Sequence, residues 1–161
     1  MEFALRRFEA REQIENIVYA YAEALDSGDL EKFANIFESG SLVIHPSGVI
    51  ITGKNANFQA VKNVVIYYDE KGNGVDEWMP NKQYTPRTHH ITSNLRFAFD
   101  DTLQHASVYS YMTVCQTINE PKVIANGHYH DVFKCQNDKW YLSERNAFLT
   151  YLGDTSYHLK K

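Results

Sequence analysis

Two histidines stand side by side in the stretch "PRTHHITSNLRFAF", at positions His89 and His90. An imidazole is the natural general base near neutral pH. It does this work when one ring nitrogen is free and a carboxylate on the other fixes the tautomer and stabilises the imidazolium. The stretch reads as the opening of a long strand, and adjacent strand residues point to opposite faces. Only one of the two rings can therefore enter a given pocket. A candidate carboxylate is Asp26, in "YAEALDSGD" at the end of an apolar-striped helix; an Asp there also suits the cap of a following helix. Tyr21 lies on the same broad helix face as Val18 and Leu25, so it is either core or a pocket hydroxyl. Arg145 shares strand parity with Tyr141, Ser143 and Ala147, and is either one half of an ion pair or the binder of a substrate carboxylate or oxyanion. Proton abstraction for an elimination or an isomerisation asks for this set and needs no nucleophile.

Other polar residues are weaker candidates. In "GHYHDVF", His128 and His130 share one strand face while Tyr129 and Asp131 share the other. A facial metal triad needs a third ligand, and nothing in the sequence brings His45 or His105 to the pair, so no metal is expected. If the face of Tyr129 lines a pocket, His128 and His130 are exterior, although His130 remains a candidate second pocket histidine. Asn94 is a candidate pocket amide or a strand-edge residue. Trp78, alone in the polar loop "DEKGNGVDEWMPNKQ", either pins that loop or contributes to a lid. His158 and the closing "LKK" read as a solvated tail.

The elements that position these residues follow from periodicity. Ile14, Ile17, Val18, Tyr21 and Leu25 form one stripe over a helix at 9–25. Asp26 or Ser27 is expected to cap a short second helix, "LEKFANIF". "SLVIHPSGVIITG" reads as a hairpin, and "NANFQAVKNVVIYY" as a third helix with a β-branched tail. Beyond residue 86, "THHITSNLRFAF", "HASVYSYMTVCQTI", "KVIANGHYHDVFKC" and "KWYLSERNAFLTYL" are strand-like and joined by short polar segments. Such an order gives an antiparallel meander and leaves no crossover helix for a doubly wound sheet.

With 161 residues, 43% of them hydrophobic, the chain has the length of a single domain, 1–161, with a core at about 9–152. A net charge of −4 without a basic stripe argues against nucleic acid and against a polybasic membrane anchor. No apolar run approaches the roughly 20 residues that span a bilayer, and the amino terminus lacks a signal-peptide pattern. Cys115 and Cys135 fit core thiols of a cytoplasmic protein.

Three segments, in this order and spacing, carry a family resemblance: "YAEALDSGDLEKFANIF", "RTHHITSNLRF" and "GHYHDVFKCQNDKWYLSERNAF". The chain resembles the SnoaL-like branch of the nuclear transport factor 2-like superfamily, which includes scytalone dehydratase, bile acid 7-alpha-dehydratase, a dehydrochlorinase and polyketide cyclases. The resemblance implies an α+β fold, a cone-shaped barrel of three helices on a strongly curved, mainly antiparallel sheet. It further implies a homodimer or homotrimer and a cofactor-free lyase, dehydratase-like or a related isomerase or cyclase. Its substrate would be a small hydrophobic cyclic or polyketide-like molecule. Asp26 and His90 match the family's Asp-His pair, so His90 is the inward ring; Tyr21 and Arg145 match further catalytic positions. Asn94, Tyr129, His130 and Trp78 are the expected substrate contacts. Leu25 and the strand "YMTVCQT" depart from the scytalone enzyme, which has a tyrosine and a second histidine there. The alternative is a ligand-binding or assembly module of the same fold without chemistry. An Asp26 oxygen within about 3.2 Å of a His90 nitrogen, beside an enclosed apolar cavity, would favour the lyase; a filled interior would favour the module.

Overall fold

The structure, a computed structural model, describes residues 1–160. Three helices lie among and before the strands: α1 (Glu2–Ser27), α2 (Leu30–Ile36) and α3 (Lys54–Val64). A short hairpin, β1 (Ser41–His45) and β2 (Val49–Thr52), precedes α3, and a two-residue pair, β3 (Tyr67–Tyr68) and β4 (Gly74–Val75), follows it. Four long strands complete the chain: β5 (Thr88–Phe99), β6 (His105–Gln116), β7 (Lys122–Gln136) and β8 (Lys139–Leu152).

The stripe in α1 does what its spacing implies. Ala10, Ile14, Val18, Tyr21 and Leu25 are buried against the sheet, while the first two turns stand in solvent. The helix stops at Gly28, which adopts the left-handed conformation at φ 75° that glycine takes without strain. A Cβ there would come within 2.8 Å of the Tyr84 ring, so the turn also needs glycine for close approach. The cap of α2 is Asp29, whose Oδ1 accepts from the Lys32 amide at 3.0 Å, rather than Asp26 or Ser27. Asp26 is thereby left free for another partner. The third helix ends at Val64, the first residue of the β-branched "VVIYY" tail, and Tyr67 and Tyr68 pair with Val75 and Gly74 instead.

The main sheet has six strands in the order β2-β1-β8-β7-β6-β5. The meander β5 to β8 is antiparallel, but β1 joins β8 in parallel, with Leu42 opposite Arg145. The sheet is therefore mixed. It is also open: β2 and β5 are its two edges and do not pair with each other. The expected cone-shaped barrel with a strongly curved sheet is thus corrected to three helices packed on an open mixed sheet. The physical reason is that the chain leaves β2 directly into α3, so no strand bridges the two edges. No described helix is long and apolar enough to cross a membrane.

Bulges interrupt the meander and change which residues face the helices. Between β7 and β8, Val132 opposes Glu144 and Phe133 opposes Leu142, so Ser143 is the extra residue. Trp140 and Leu142 on one side of it, and Arg145 and Ala147 on the other, are consequently all buried, against a strict two-residue alternation. In β5 the register slips between Ser93 and Arg96, and Asn94 sits there at φ 57°.

Candidate active site

The last turn of α1 is an unfavourable place for an isolated carboxylate, because the helix dipole is negative there. Asp26 is compensated from the sheet. Its Oδ2 accepts from the His90 amide at 2.8 Å, and its Oδ1 lies 2.6 Å from His90 Nδ1. Both side chains are largely withdrawn from water, at 13% and 11% exposure. A carboxylate can only accept from Nδ1, so this contact places a proton on Nδ1; in the neutral ring Nε2 then keeps its lone pair. Trp78 and Tyr84 steady the turn that carries Asp26. Trp78 Nε1 donates to the Gly28 carbonyl at 2.8 Å, and Tyr84 packs on Gly28.

His90 forms part of the wall of a cavity of about 230 Å³ between the helices and the inner sheet face. Tyr21, Phe33, Leu42, Met112, Val114 and Ile124 belong to its apolar lining, and Tyr129 adds a phenol ring. An engineered cavity of about 150 Å³ holds benzene. The space here therefore suits a substituted single ring or a compact pair of rings. Burial raises the pKa of the Tyr21 phenol, which the nearby Arg145 charge partly offsets, and burial raises that of Tyr129 well above its ordinary value. Both remain neutral hydrogen-bonding groups at neutral pH.

A second imidazole borders the same space. His158, read from sequence as part of a solvated tail, is 8% exposed and lines the cavity. Its ring centroid is 5.4 Å from that of His90. Burial, and then the neighbouring His90, push its pKa down to about 3. This correction has a tertiary cause. Leu159 bridges to Val65, and the His158 carbonyl accepts from the Ile66 amide at 2.9 Å, so the tail is laid against the segment after α3.

Arg145 lies beneath this chamber rather than in its wall. Nε reaches Asp131 Oδ1 at 2.9 Å and Nη2 reaches Oδ2 at 2.6 Å, with both residues essentially inaccessible. The guanidinium carbon is 4.1 Å from the Tyr21 ring centroid and 4.3 Å from that of Tyr129. Burial alone would lower the Arg145 pKa, but the Asp131 charge outweighs it and the net shift is upward. The pair therefore forms a charged platform under two phenols. Asp131 is its unforeseen half; the cross-strand register, Asp131 opposite Arg145, is the signal that would have found it.

Three expected contacts are placed elsewhere. Asn94 is exposed at the bulge, on a shallow surface hollow with Tyr109 and Tyr111. His130 is exposed on the outer sheet face beside Tyr109 and His128, so it is not the second pocket histidine. Trp78 is buried against Phe58, at a centroid distance of 5.4 Å, and supports the Asp26 turn instead of lining the cavity. His89 points outward and is exposed. Among the described residues, no group of three His, Cys, Asp or Glu side chains is arranged to hold a metal ion.

The sequence profile of the SnoaL-like domain matches residues 6–146. No curated protein matches the chain. Several solved structures resemble it. A Mycobacterium tuberculosis protein of unknown function is 20% identical, with a TM-score of 0.68 over 91% of this chain and 75% of that one. An NTF2-like protein with a cystatin-like fold from Novosphingobium aromaticivorans is 16% identical, with a TM-score of 0.70 over 92% and 87%. A hexachlorocyclohexane dehydrochlorinase, LinA-type3, from Novosphingobium barchaimii is 15% identical, with a TM-score of 0.69 over 92% of each chain. At these identities the likeness is one of fold.

Proposed function

The chain belongs to the SnoaL-like domain family, and we propose that it is a lyase of the dehydratase type acting on a small, largely apolar cyclic molecule. His90 is its general base and Asp26 its orienting partner. The observation that carries this reading is the 2.6 Å contact between Asp26 and His90 Nδ1, with the His90 ring on the wall of an apolar chamber. A proton on a carbon beside a carbonyl passes to Nε2, and the C–H electron pair becomes the new C=C bond. The C–O bond to the neighbouring hydroxyl breaks. The imidazolium returns its proton to that oxygen, water departs, and His90 is neutral again. Asp26 stabilises the imidazolium while it exists. An isomerase or cyclase would share the first step and return the proton elsewhere.

Positioned proton transfer contributes about 10²–10⁴-fold. The low exposure of both side chains, 13% and 11%, strengthens the Asp26 interaction beyond its value in solvent. That one protein of similar fold is named a dehydrochlorinase, and so eliminates, is consistent with this class. Self-association through the outer sheet face belongs to the same proposal. There Tyr109, His128 and Phe148 stack across three strands, and sedimentation would test for a dimer or trimer. The function is tested with a panel of one- and two-ring β-hydroxy ketones and product analysis for water loss. Wild type should turn over at least one of them, His90→Ala should lose about 10²–10⁴-fold of the rate, and Asp26→Asn should also be impaired. Dehydration that survives His90→Ala, or none by the wild type, would refute the lyase.

A further inference from the structure

Part of the chamber wall is chain that lies beyond residues 6–146, the span matched by the family profile. Leu152, Thr155, His158 and Leu159 all line the space. The strap that carries them leaves β8 at Gly153, whose amide donates to the Ile124 carbonyl of β7 at 2.8 Å. It then turns once, with the Thr155 carbonyl accepting from the amides of His158 and Leu159 at 2.8 Å. Its far end is latched to the segment after α3 rather than to the main sheet. There the Ile66 amide donates to the His158 carbonyl at 2.9 Å, and the Lys160 amide to the Val64 carbonyl at 2.7 Å. The Tyr68 hydroxyl donates to the Tyr157 carbonyl at 2.6 Å, and an exposed Lys122–Asp154 pair at 3.3 Å adds a tether. From Gly153 to Lys160 only His158 is buried, and its Nδ1 has no hydrogen-bond partner. A buried polar atom without a partner costs free energy, so the one buried side chain weakens the latch that it belongs to. Segments held by hydrogen bonds, with little buried apolar surface, open locally before the whole chain unfolds.

We propose that this strap, Gly153 to Lys160, is the gate of the chamber: it swings open about Gly153, and acid favours the open state because the His158 ring takes up a proton only after leaving the wall. The gate serves the chamber that the lyase reading uses, and it holds equally for a chamber that only binds. In the closed state the ring meets His90 of β5, Arg87 just before that strand, Asp26 of α1 behind His90, and Tyr67 and Tyr68 of β3. Tyr21 and Tyr129 line the chamber with it. The Arg87 charge opposes a second positive charge, and the Asp26 carboxylate is already held by His90. None of these groups draws a proton onto the closed ring. Burial and the neighbouring His90 depress its pKa to about 3, whereas an open, solvated ring titrates near 6.5. Below pH about 6.5 the open strap therefore binds a proton that the closed one does not. Closure is at full strength above that pH and weakens as pH falls toward about 3. Between pH about 7.5 and about 5.5 the open fraction rises about tenfold.

Two readouts test the gate without ligand or turnover. Amide hydrogen exchange by NMR follows Ile66 and Lys160, whose N–H groups close the latch. Their protection factors should lie below those of amides in the centre of β6 and β7, and should fall about tenfold from pH about 7.5 to about 5.5. In His158→Phe, which keeps His90 but cannot take up the proton, they should not change with pH. Access to the chamber is read from acylation of the imidazoles by diethyl pyrocarbonate at neutral pH, with the modified ring located by fragmentation mass spectrometry. His89, exposed and adjacent, is the internal standard for His90. Tyr68→Phe removes one latch hydrogen bond, so the ratio of His90 to His89 modification should rise about twofold to tenfold. Latch amides as protected as the sheet overturn the gate, since the strap would then open only with the whole fold. An equal fall with acid in His158→Phe overturns it too, because the titrating group would lie elsewhere. A His90 to His89 ratio unchanged in Tyr68→Phe would mean that the chamber is entered by another route. If β-hydroxy ketones are not dehydrated while both readouts behave as expected, the lyase fails and the gate stands. If His90-dependent dehydration is found while the readouts do not respond, only the gate fails.

Discussion

Replacing Arg145 by methionine tests whether the platform under Tyr21 and Tyr129 is structural. The guanidinium makes two contacts to Asp131, at 2.9 and 2.6 Å, with exposures of 1% and 0% for the two side chains. Methionine approximates the apolar length of arginine but leaves the Asp131 carboxylate buried and unpaired. Breaking such a pair from one side costs about 3–5 kcal/mol. For a chain of this length each 1 kcal/mol moves Tm by about 2–4 °C, so the expected fall is about 6–20 °C. Adding Asp131→Leu removes the orphaned charge, and the double variant should recover much of the loss, because contacting residues are not additive. Thermal unfolding followed by circular dichroism gives all the values. If Arg145→Met melts within about 2 °C of the wild type while abolishing β-hydroxy ketone turnover, Arg145 acts on substrate and the platform reasoning is wrong.

Two further outcomes follow from buried groups. The folded-state pKa of His158 lies below its ordinary value, so the unfolded chain binds the proton more strongly. The associated stability is present above pH about 6.5 and is lost as pH falls toward about 3; the 6.5-to-3 difference corresponds to on the order of 5 kcal/mol. Urea titrations across this range should show His158→Phe losing less stability to acid than the wild type, and equal losses would contradict the burial of this ring. Gly127→Ala would drive a Cβ into the Phe148 carbonyl oxygen, at a second β7–β8 register slip between Asn126 and Gly127. Backbone must move to admit it, and a destabilisation of about 1–3 kcal/mol is expected in the same titration.

Local chemistry made much of this legible. The α1 stripe, the β1–β2 turn and the four long strands are written in short-range patterns, and the structure has each of them. Strand alternation near the start of β5 separates the two rings, before any bulge disturbs it, while the choice of His90 over His89 comes from the family resemblance. Alternation misleads further along. Ser143 shifts the parity of β8, so Arg145 joins Trp140 and Leu142 in the interior. Asn94, read as a candidate pocket amide, is the left-handed residue of the β5 bulge. Sheet closure is not legible in the sequence because strand order within a sheet is not local: nothing near Thr52 reveals that β2 will stay an edge. The burial of His158 is hidden for the same reason, since "GDTSYHLKK" is polar and the tail is laid down by tertiary contacts such as the bridge from Leu159 to Val65.

The tautomer of His90 can be read directly. In protein labelled with 15N at histidine, long-range proton–nitrogen correlation at neutral pH distinguishes a protonated ring nitrogen from a bare one. With Asp26 on Nδ1 at 2.6 Å, Nδ1 should carry the proton and Nε2 should show the shift of an unprotonated nitrogen, and Asp26→Ala should abolish that bias. A proton found on Nε2 instead, or a tautomer indifferent to the loss of Asp26, would contradict His90 as the base of this chamber.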